Sequence, residues 1–118
     1  METVKFIRWD DVAHEKLNEM LSRRVISGAR EMVAQISLKK GCVVPEHSHE
    51  SEQITCVLNG ALQFRIAGKE ITVRDNEVLL IPSRVPHAAV ALEDTFELDV
   101  FSPIRQDWLD HTDDYLRR

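Results

Sequence analysis

Two histidines one residue apart open the segment HSHESEQ, residues 47–53, and a glutamine lies near its end. On an extended strand His47 and His49 project to the same side, and Gln53 shares that side if the intervening loop keeps the alternation. His87 follows two prolines in the segment IPSRVPHAAV, so a neighbouring strand could bring a third imidazole to the same cavity. These groups are either ligands of a metal ion or the polar edge of a strand, with imidazoles that face water or cap loop carbonyls.

A second group of reactive side chains lies in the segment TFELDVFSPIR. Alternation places Glu97, Asp99 and Phe101 on one face of a strand and three apolar residues on the other. If the apolar face packs outward against the termini or a second subunit, Asp99 and Phe101 point inward, where a buried carboxylate beside a cation can move protons. Arg105 could reach back as a bidentate clamp for a carboxylate. The alternative is a structural salt bridge between Asp99 and Arg105 that closes the last strand.

Short strands are the elements that must position these groups. Every second residue from Met32 to Leu38 is apolar, which indicates a strand that buries one face. Further strand-like segments follow at regular spacing, separated by turn pairs such as Asn59-Gly60, and this pattern is typical of a barrel or sandwich. These predicted strands are QITCVL, ALQFRI, EITV, EVLLIP, HAAVAL and TFELDVF.

The two ends of the chain depart from this pattern. The segment TVKFIRW predicts a short strand, and the segment that begins at Asp10 has a weak helical pattern that could equally form a loop. Near the other end, Ser102 followed by Pro103 favours the start of a helix. Four apolar or aromatic side chains could then dock on the barrel: Trp108, Leu109, Tyr115 and Leu116.

Length and composition exclude several classes of function. A chain of 118 residues, 43% of them apolar, predicts one domain over residues 1–118 with a single core. The formal net charge of -5 argues against a nucleic-acid partner, and no apolar run is long enough to cross a membrane. Two cysteines without a paired motif suit a reducing compartment. We therefore expect a cytoplasmic protein without a membrane partner.

The residues around both histidine segments resemble the two motifs of the cupin superfamily. The first block runs from Gly41 through HSHESEQ to Gly60, and the second runs from Asn76 to His87. The resemblance covers about residues 32–101. It implies an all-β fold, a cupin-type antiparallel β-barrel or jelly roll with short helical segments at the termini, and a metal inside the barrel. The ligands that it implies are His47, His49, Gln53 and His87.

The implied ligands are three imidazoles and one amide oxygen, and Gln53 replaces the usual cupin carboxylate. This set suits one divalent transition metal, such as zinc, nickel, iron, manganese or copper, rather than calcium. Because no ligand is charged, the ion would keep its full double charge and attract an anionic or enolate-like oxygen strongly. The other interpretation of Gln53 is a side chain that hydrogen-bonds near the site without binding the ion.

A narrower resemblance rests on the segments HSHESEQI, IPSRVPH and DVFSPIR. These segments resemble the KdgF proteins, small cupins of pectin and alginate breakdown. The resemblance implies that Asp99, Phe101 and Arg105 are catalytic, and that a cyclic 4,5-unsaturated uronate is converted to its linear keto form. In this interpretation the metal and Arg105 hold the uronate carboxylate, Asp99 shuttles a proton, and Phe101 lines the sugar face.

Two other functions agree with the same ligands. An iron-dependent dioxygenase of a small organic acid or diketone could use three histidines with open coordination positions. A non-catalytic binding or sensor protein would recognise a small acid without converting it, and Asp99 would then be dispensable. As partners we expect a small acidic substrate, a sugar acid, and a second copy of the chain, because a homodimer would cover exposed strand edges.

Overall fold

The computed structural model describes residues 3–117 and consists mainly of short strands. In chain order they are β1 (Glu15–Asn18), β2 (Leu21–Ser27), β3 (Met32–Leu38), β4 (Val43–His47), β5 (Glu52–Asn59), β6 (Ala61–Ile66), β7 (Lys69–Arg74), β8 (Glu77–Ile81), β9 (His87–Ala91) and β10 (Thr95–Ser102). A 3-10 helix at Trp9–Asp11 precedes them. Helix α1 (Gln106–Leu109) and a 3-10 helix at Asp114–Leu116 follow them. The predicted all-β fold with short helical segments at the termini is confirmed.

The strands form two antiparallel sheets that enclose the core of a jelly-roll barrel. The six-stranded sheet has the order β1-β2-β3-β10-β5-β8, and the four-stranded sheet has the order β4-β9-β6-β7. β10 lies between β3 and β5, so its inward face is at the centre of the larger sheet. This position explains why four alternate residues of β10, including two acids, are buried: Thr95, Glu97, Asp99 and Phe101.

The predicted strands from residue 32 onward all form, and the turns between them use the expected residues. Gly60 at φ 114°, Gly68 at φ 77° and Asn76 at φ 64° lie in the turns that join β5 to β6, β6 to β7 and β7 to β8. Glycine and asparagine tolerate the left-handed backbone better than other residues. Local turn chemistry was therefore a reliable guide to this half of the fold.

The N-terminal predictions are wrong in part. The segment TVKFIRW forms no strand, and Val4 and Phe6 are 101% and 93% exposed. Extended backbone becomes a strand only when it pairs, and no other segment of residues 3–117 pairs with this one. The segment with the weak helical pattern, which begins at Asp10, forms the end of one 3-10 turn and then β1. The loop alternative therefore agrees better with the structure than a helix does.

The C-terminal segment packs against the barrel as predicted for most of its apolar residues. Trp108 and Leu116 are buried in the core, and Tyr115 is half-buried, whereas Leu109 remains 40% exposed. The backbone of Leu116 is held by the Asn18 amide, which donates to its carbonyl at 3.0 Å. In residues 3–117 no helix has the length and apolar character that a membrane crossing requires.

Candidate metal centre

Three imidazoles meet at one end of the barrel. His47 ends β4 and His87 begins β9, and these two residues are directly paired across the strands. A register shift between Val44 and His47 adds one residue to β4. Because of this bulge, Val44 and His47 both line the interior although they are three positions apart on the strand. His49 lies in the loop after β4, so its convergence with His47 is not caused by strand alternation, as the sequence pattern suggested.

The ring nitrogens of the three histidines are placed to bind one ion. Their candidate ligand atoms all lie within 4.8 Å of one another. Each Nδ1 is 2.8 Å from a backbone carbonyl oxygen two residues away. A carbonyl only accepts hydrogen bonds, so each Nδ1 carries the proton and donates it. This leaves a lone pair on every Nε2, which is the arrangement that histidine ligands of metals usually have.

Burial keeps these imidazoles neutral. Desolvation lowers the pKa of His47 and of His49 to about 4 and also lowers the pKa of His87. Neutral imidazole is the form that binds metal. His87 Nε2 is buried without a hydrogen-bond partner, and a metal ligand accounts for a buried lone pair of this kind. The residues present therefore fit a divalent transition metal.

Gln53 connects the imidazoles to a buried carboxylate. Its Oε1 lies 3.0 Å from His49 Nε2, and its Nε2 donates to Thr55 Oγ1 at 2.9 Å. Thr55 in turn donates to Asp99 Oδ1 at 2.6 Å. Since the ring proton of His49 is on Nδ1, His49 Nε2 and Gln53 Oε1 both carry lone pairs, and neither can donate a hydrogen bond to the other. A shared cation would stabilise that contact, which favours Gln53 as a ligand.

Asp99 and Glu97 form a buried pair of acids on β10, and burial raises the pKa of both. Burial raises the pKa of Asp99 to about 6, although the hydrogen bond from Thr55 opposes the shift. Burial and the charge of Asp99 raise the pKa of Glu97 well above its usual value. A pKa of about 6 leaves Asp99 mostly ionised at neutral pH, and burial favours the protonated form of Glu97. A carboxylate with a pKa near neutrality can both accept and return a proton.

Arg105 forms its ion pair with Asp107 and not with Asp99, so the predicted alternative of a structural salt bridge to Asp99 is wrong. Arg105 Nε and Nη2 donate to the two Asp107 oxygens at 3.0 and 2.7 Å, and Nη2 also donates to the Tyr115 hydroxyl at 2.6 Å. Arg105 Nη1 is buried without a partner. A ligand carboxylate would therefore meet Nη1, because Asp107 occupies the Nε and Nη2 edge.

Aromatic rings line the same space. The Tyr115 ring stacks on His47 with centroids 4.4 Å apart, and the Phe101 ring meets His49 edge to face at 5.6 Å. Trp108 packs against Phe101 at 4.9 Å. These rings exclude water from the imidazoles and from Arg105, which strengthens electrostatic contacts inside the cavity.

The structure brings the residues singled out in the sequence together. Six of the seven line one cavity: His47, Gln53, His87, Asp99, Phe101 and Arg105. His49, the seventh, belongs to the imidazole cluster with His47 and His87. The sequence analysis did not single out Thr55 or Arg23, and it placed Tyr115 on the barrel without connecting it to the site. All three contact this region. The one available signal was the alternation in LSRRVIS, which puts Arg23 on the same face as Leu21.

Comparison with known proteins assigns this arrangement to a family. Residues 34–102, more than half of the chain, match the family model described as a cupin domain. The chain therefore belongs to the cupin family. The fold and the three-imidazole cluster together define a cupin with a candidate site for a divalent metal.

Among solved structures, the chain is similar to KdgF from Halomonas sp. at 27% identity, with a TM-score of 0.81, over 88% of this chain and 99% of that one. An RmlC-like cupin from Shewanella frigidimarina is 23% identical, with a TM-score of 0.83, over 90% of this chain and 96% of that one. The oxalate decarboxylase of Bacillus subtilis, a protein with Mn(II) centres, is 19% identical, with a TM-score of 0.76, over 94% of this chain and 35% of that one. The last two likenesses establish the fold only. No curated protein matches the chain at a significant level. The predicted resemblance to small KdgF-like cupins is confirmed.

Proposed function

We propose that this protein is an isomerase of carbohydrate metabolism that opens a cyclic 4,5-unsaturated uronate to its linear keto form. The observation that carries the proposal is the run of close polar contacts from the imidazole cluster through Gln53 and Thr55 to Asp99. A buried carboxylate this close to the imidazole cluster supports a proton-transfer role for Asp99 beside a bound ion. The likeness to KdgF from Halomonas sp. over 99% of that chain supports the choice of substrate.

The net reaction moves one proton and requires no redox partner. The bond between C1 and the ring oxygen breaks, and the C1 hydroxyl loses its proton as C1 becomes an aldehyde. The ring oxygen becomes the enol oxygen on C5, C4 gains a proton, and C5 becomes a ketone. The proton lost at the C1 hydroxyl equals the proton gained at C4, so atoms and charge balance.

Each proposed catalytic residue has a structural reason for its role. Asp99 takes and returns the proton, because its pKa of about 6 makes both directions accessible near neutral pH. Arg105 holds the uronate carboxylate through Nη1, which is buried and has no other acceptor. Phe101, 1% exposed, supplies an apolar wall for the sugar ring.

A divalent ion, when bound, would supply Lewis acidity that stabilises negative charge on a substrate oxygen. The residues that would hold it are His47, His49, Gln53 and His87. Their neutrality leaves the positive charge available to an anionic substrate.

The test combines elemental analysis with an absorbance assay. The purified protein is analysed for metal and mixed with unsaturated uronate freshly released by a lyase. The conjugated C4–C5 double bond absorbs ultraviolet light, so formation of the ketone appears as a loss of absorbance. We expect the protein to accelerate this loss, a chelator to stop it, and zinc or nickel to restore it without oxygen.

Two results would contradict this proposal. If metal-loaded protein left the rate of absorbance loss unchanged, the substrate assignment would be wrong. If turnover required iron and oxygen, the site would belong to a dioxygenase instead.

We also propose that the protein is a cytoplasmic homodimer. The free thiols of Cys42 and Cys56 suit a reducing compartment. Strand β8 lies at the edge of the larger sheet and exposes Val78 and Leu80 by 61% and 56%. Ile54 is paired with Leu80 on the neighbouring strand and is also exposed. A second copy of the chain would cover this apolar edge.

A charge placed on the apolar edge should separate the dimer. In Leu80→Glu, each subunit would bury an unpaired carboxylate at the interface, so we expect the mass measured by light scattering to fall from dimer to monomer. The matched control is Ile71→Glu on β7 of the smaller sheet, which is 38% exposed and should remain dimeric. A wild-type protein that is already monomeric would refute the dimer.

A further inference from the structure

Buried polar atoms without partners concentrate in one cavity. Among residues 3–117, six buried side-chain nitrogen or oxygen atoms lack a hydrogen-bond partner, and five belong to residues that line the cavity beside the imidazoles. His87 Nε2 and Arg105 Nη1 already have roles in the proposed function. Arg23 Nη2 has none, although the Arg23 side chain is 0% exposed. A buried donor without an acceptor is costly, so a ligand oxygen would account for it.

Residues paired across neighbouring strands form rows on the larger sheet, and Arg23 belongs to a row that lies away from the imidazoles. It pairs with Ile36 of β3, and Ile36 pairs on its other side with Glu97 of β10. The next row on this face contains Asp99, and the row after that contains Gln53. The backbone of Arg23 is therefore two rows from Gln53, on the same interior face. This position suits contact with the part of a ligand that is remote from the metal.

The guanidinium of Arg23 is held rigidly and its charge is already balanced. Nη1 donates to Asp113 at 2.6 Å and Nε donates to Glu15 at 3.3 Å. The central carbon of the Arg23 guanidinium lies 4.2 Å from the ring centroid of Trp108. The central carbon of the Arg105 guanidinium lies 5.0 Å from the same centroid. Glu15 and Asp113 also pair with Arg117, at 3.5 and 3.4 Å, so the two arginines and two carboxylates balance one another. A neutral hydroxyl therefore suits Arg23 Nη2 better than a further anion.

We propose that Arg23 Nη2 donates a hydrogen bond to a hydroxyl of the ligand, at the end remote from the carboxylate held by Arg105. Arg23 is then a specificity-determining residue that selects polyhydroxylated acids over short acids. This inference rests on the proposed function for the placement of the carboxylate. It extends that function from the reacting atoms to the rest of the sugar acid.

Calorimetric titration of zinc-loaded protein with two stable acids tests this role. D-glucuronate has a carboxylate and several ring hydroxyls, whereas glycolate has a carboxylate and one adjacent hydroxyl. Wild-type protein should bind D-glucuronate more tightly. Arg23→Gln should weaken D-glucuronate by about tenfold and leave glycolate unchanged, because it removes a hydrogen bond from a charged donor. Arg105→Lys should weaken both acids.

Two further variants separate ligand binding from structure. Arg23→Lys keeps a positive charge beside Asp113 and Glu15, so it protects the fold if the glutamine variant is unstable, and it should show the same selective loss. Asp113→Asn removes the ion pair to Arg23 but leaves Nη2, so it should lower stability more than the preference for D-glucuronate.

An equal loss for both acids in the Arg23 variants, or no loss for either, would overturn the inference. So would a wild-type protein with no preference for D-glucuronate. A selective loss in Arg23→Gln, found together with no turnover of unsaturated uronate by wild-type protein, would reject the proposed reaction and support the role of Arg23.

Discussion

Asp99→Asn should lower kcat for the unsaturated uronate by about 10²–10⁴-fold, the usual contribution of a positioned acid or base. Asparagine still accepts the hydrogen bond that Thr55 donates at 2.6 Å, but it cannot take up a proton. The metal ligands are untouched, so metal content should stay at the wild-type level. Steady-state kinetics and elemental analysis of the same preparation measure both quantities.

The pH profile gives this prediction a second readout. Burial raises the pKa of Asp99 to about 6, so the ionised form is lost as the pH falls through that value. Wild-type kcat/KM should therefore decline on the acidic side of pH about 6, and Asp99→Asn should lack this decline.

Glu97→Gln is the matched control for Asp99. Burial and the charge of Asp99 raise the pKa of Glu97 and so favour its protonated form. Glutamine resembles a protonated carboxyl group in shape, so activity should be retained. Wild-type kcat in Asp99→Asn would remove Asp99 from the reaction. A large loss in Glu97→Gln alone would assign the proton transfer to Glu97.

The second large effect concerns the metal. His49→Ala removes one of three candidate ligand nitrogens that lie within 4.8 Å of one another. We expect metal affinity to fall by more than about 100-fold, since even the loss of a residue that only orients a ligand costs 10–100-fold. Elemental analysis after dialysis should show one ion per chain in the wild type and none in the variant, and turnover should be lost with it.

His14→Ala provides the comparison for this experiment, because His14 is exposed and lies outside the cluster. It should keep metal and activity. Equal metal content in His49→Ala and the wild type would show that the imidazole cluster is not the binding site.

Gln53→Glu separates metal binding from substrate binding. Thr55 has one hydroxyl proton and gives it to Asp99, so it accepts from the Gln53 amide. Glutamate at position 53 would compete with Asp99 for that proton and would reduce the positive charge that attracts the uronate. We expect metal to be retained and KM to rise.

The parts of the site that the sequence predicted are those set by short-range patterns. Alternation along β10 was sufficient to place Asp99 and Phe101 inside, because the strand is central and its two faces differ in polarity. The convergence of His47 and His49 was predicted for the wrong reason. A bulge directs His47 inward, and a loop, which strand alternation does not describe, directs His49.

The residues that the sequence analysis did not assign to the site contact partners that are distant along the chain. Alternation puts Arg23 on the same face as Leu21, but the charged partner that stabilises its burial, Asp113, lies 90 residues further along the chain. Tyr115 reaches His47 only because the C-terminal segment folds back over the barrel. Charged and aromatic side chains of this kind are buried by tertiary contacts, which no local window of sequence contains.

The backbone carbonyls that receive the three Nδ1 protons lie two residues from each histidine. Each imidazole is thus oriented by its own short stretch of chain. Metal uptake then becomes a matter of exchanging water for nitrogen, with little conformational search and little cost in entropy. Such a rigid and chemically tolerant site would discriminate weakly among zinc, nickel, iron and manganese, so we expect the ion bound in the cell to reflect the local supply of metals.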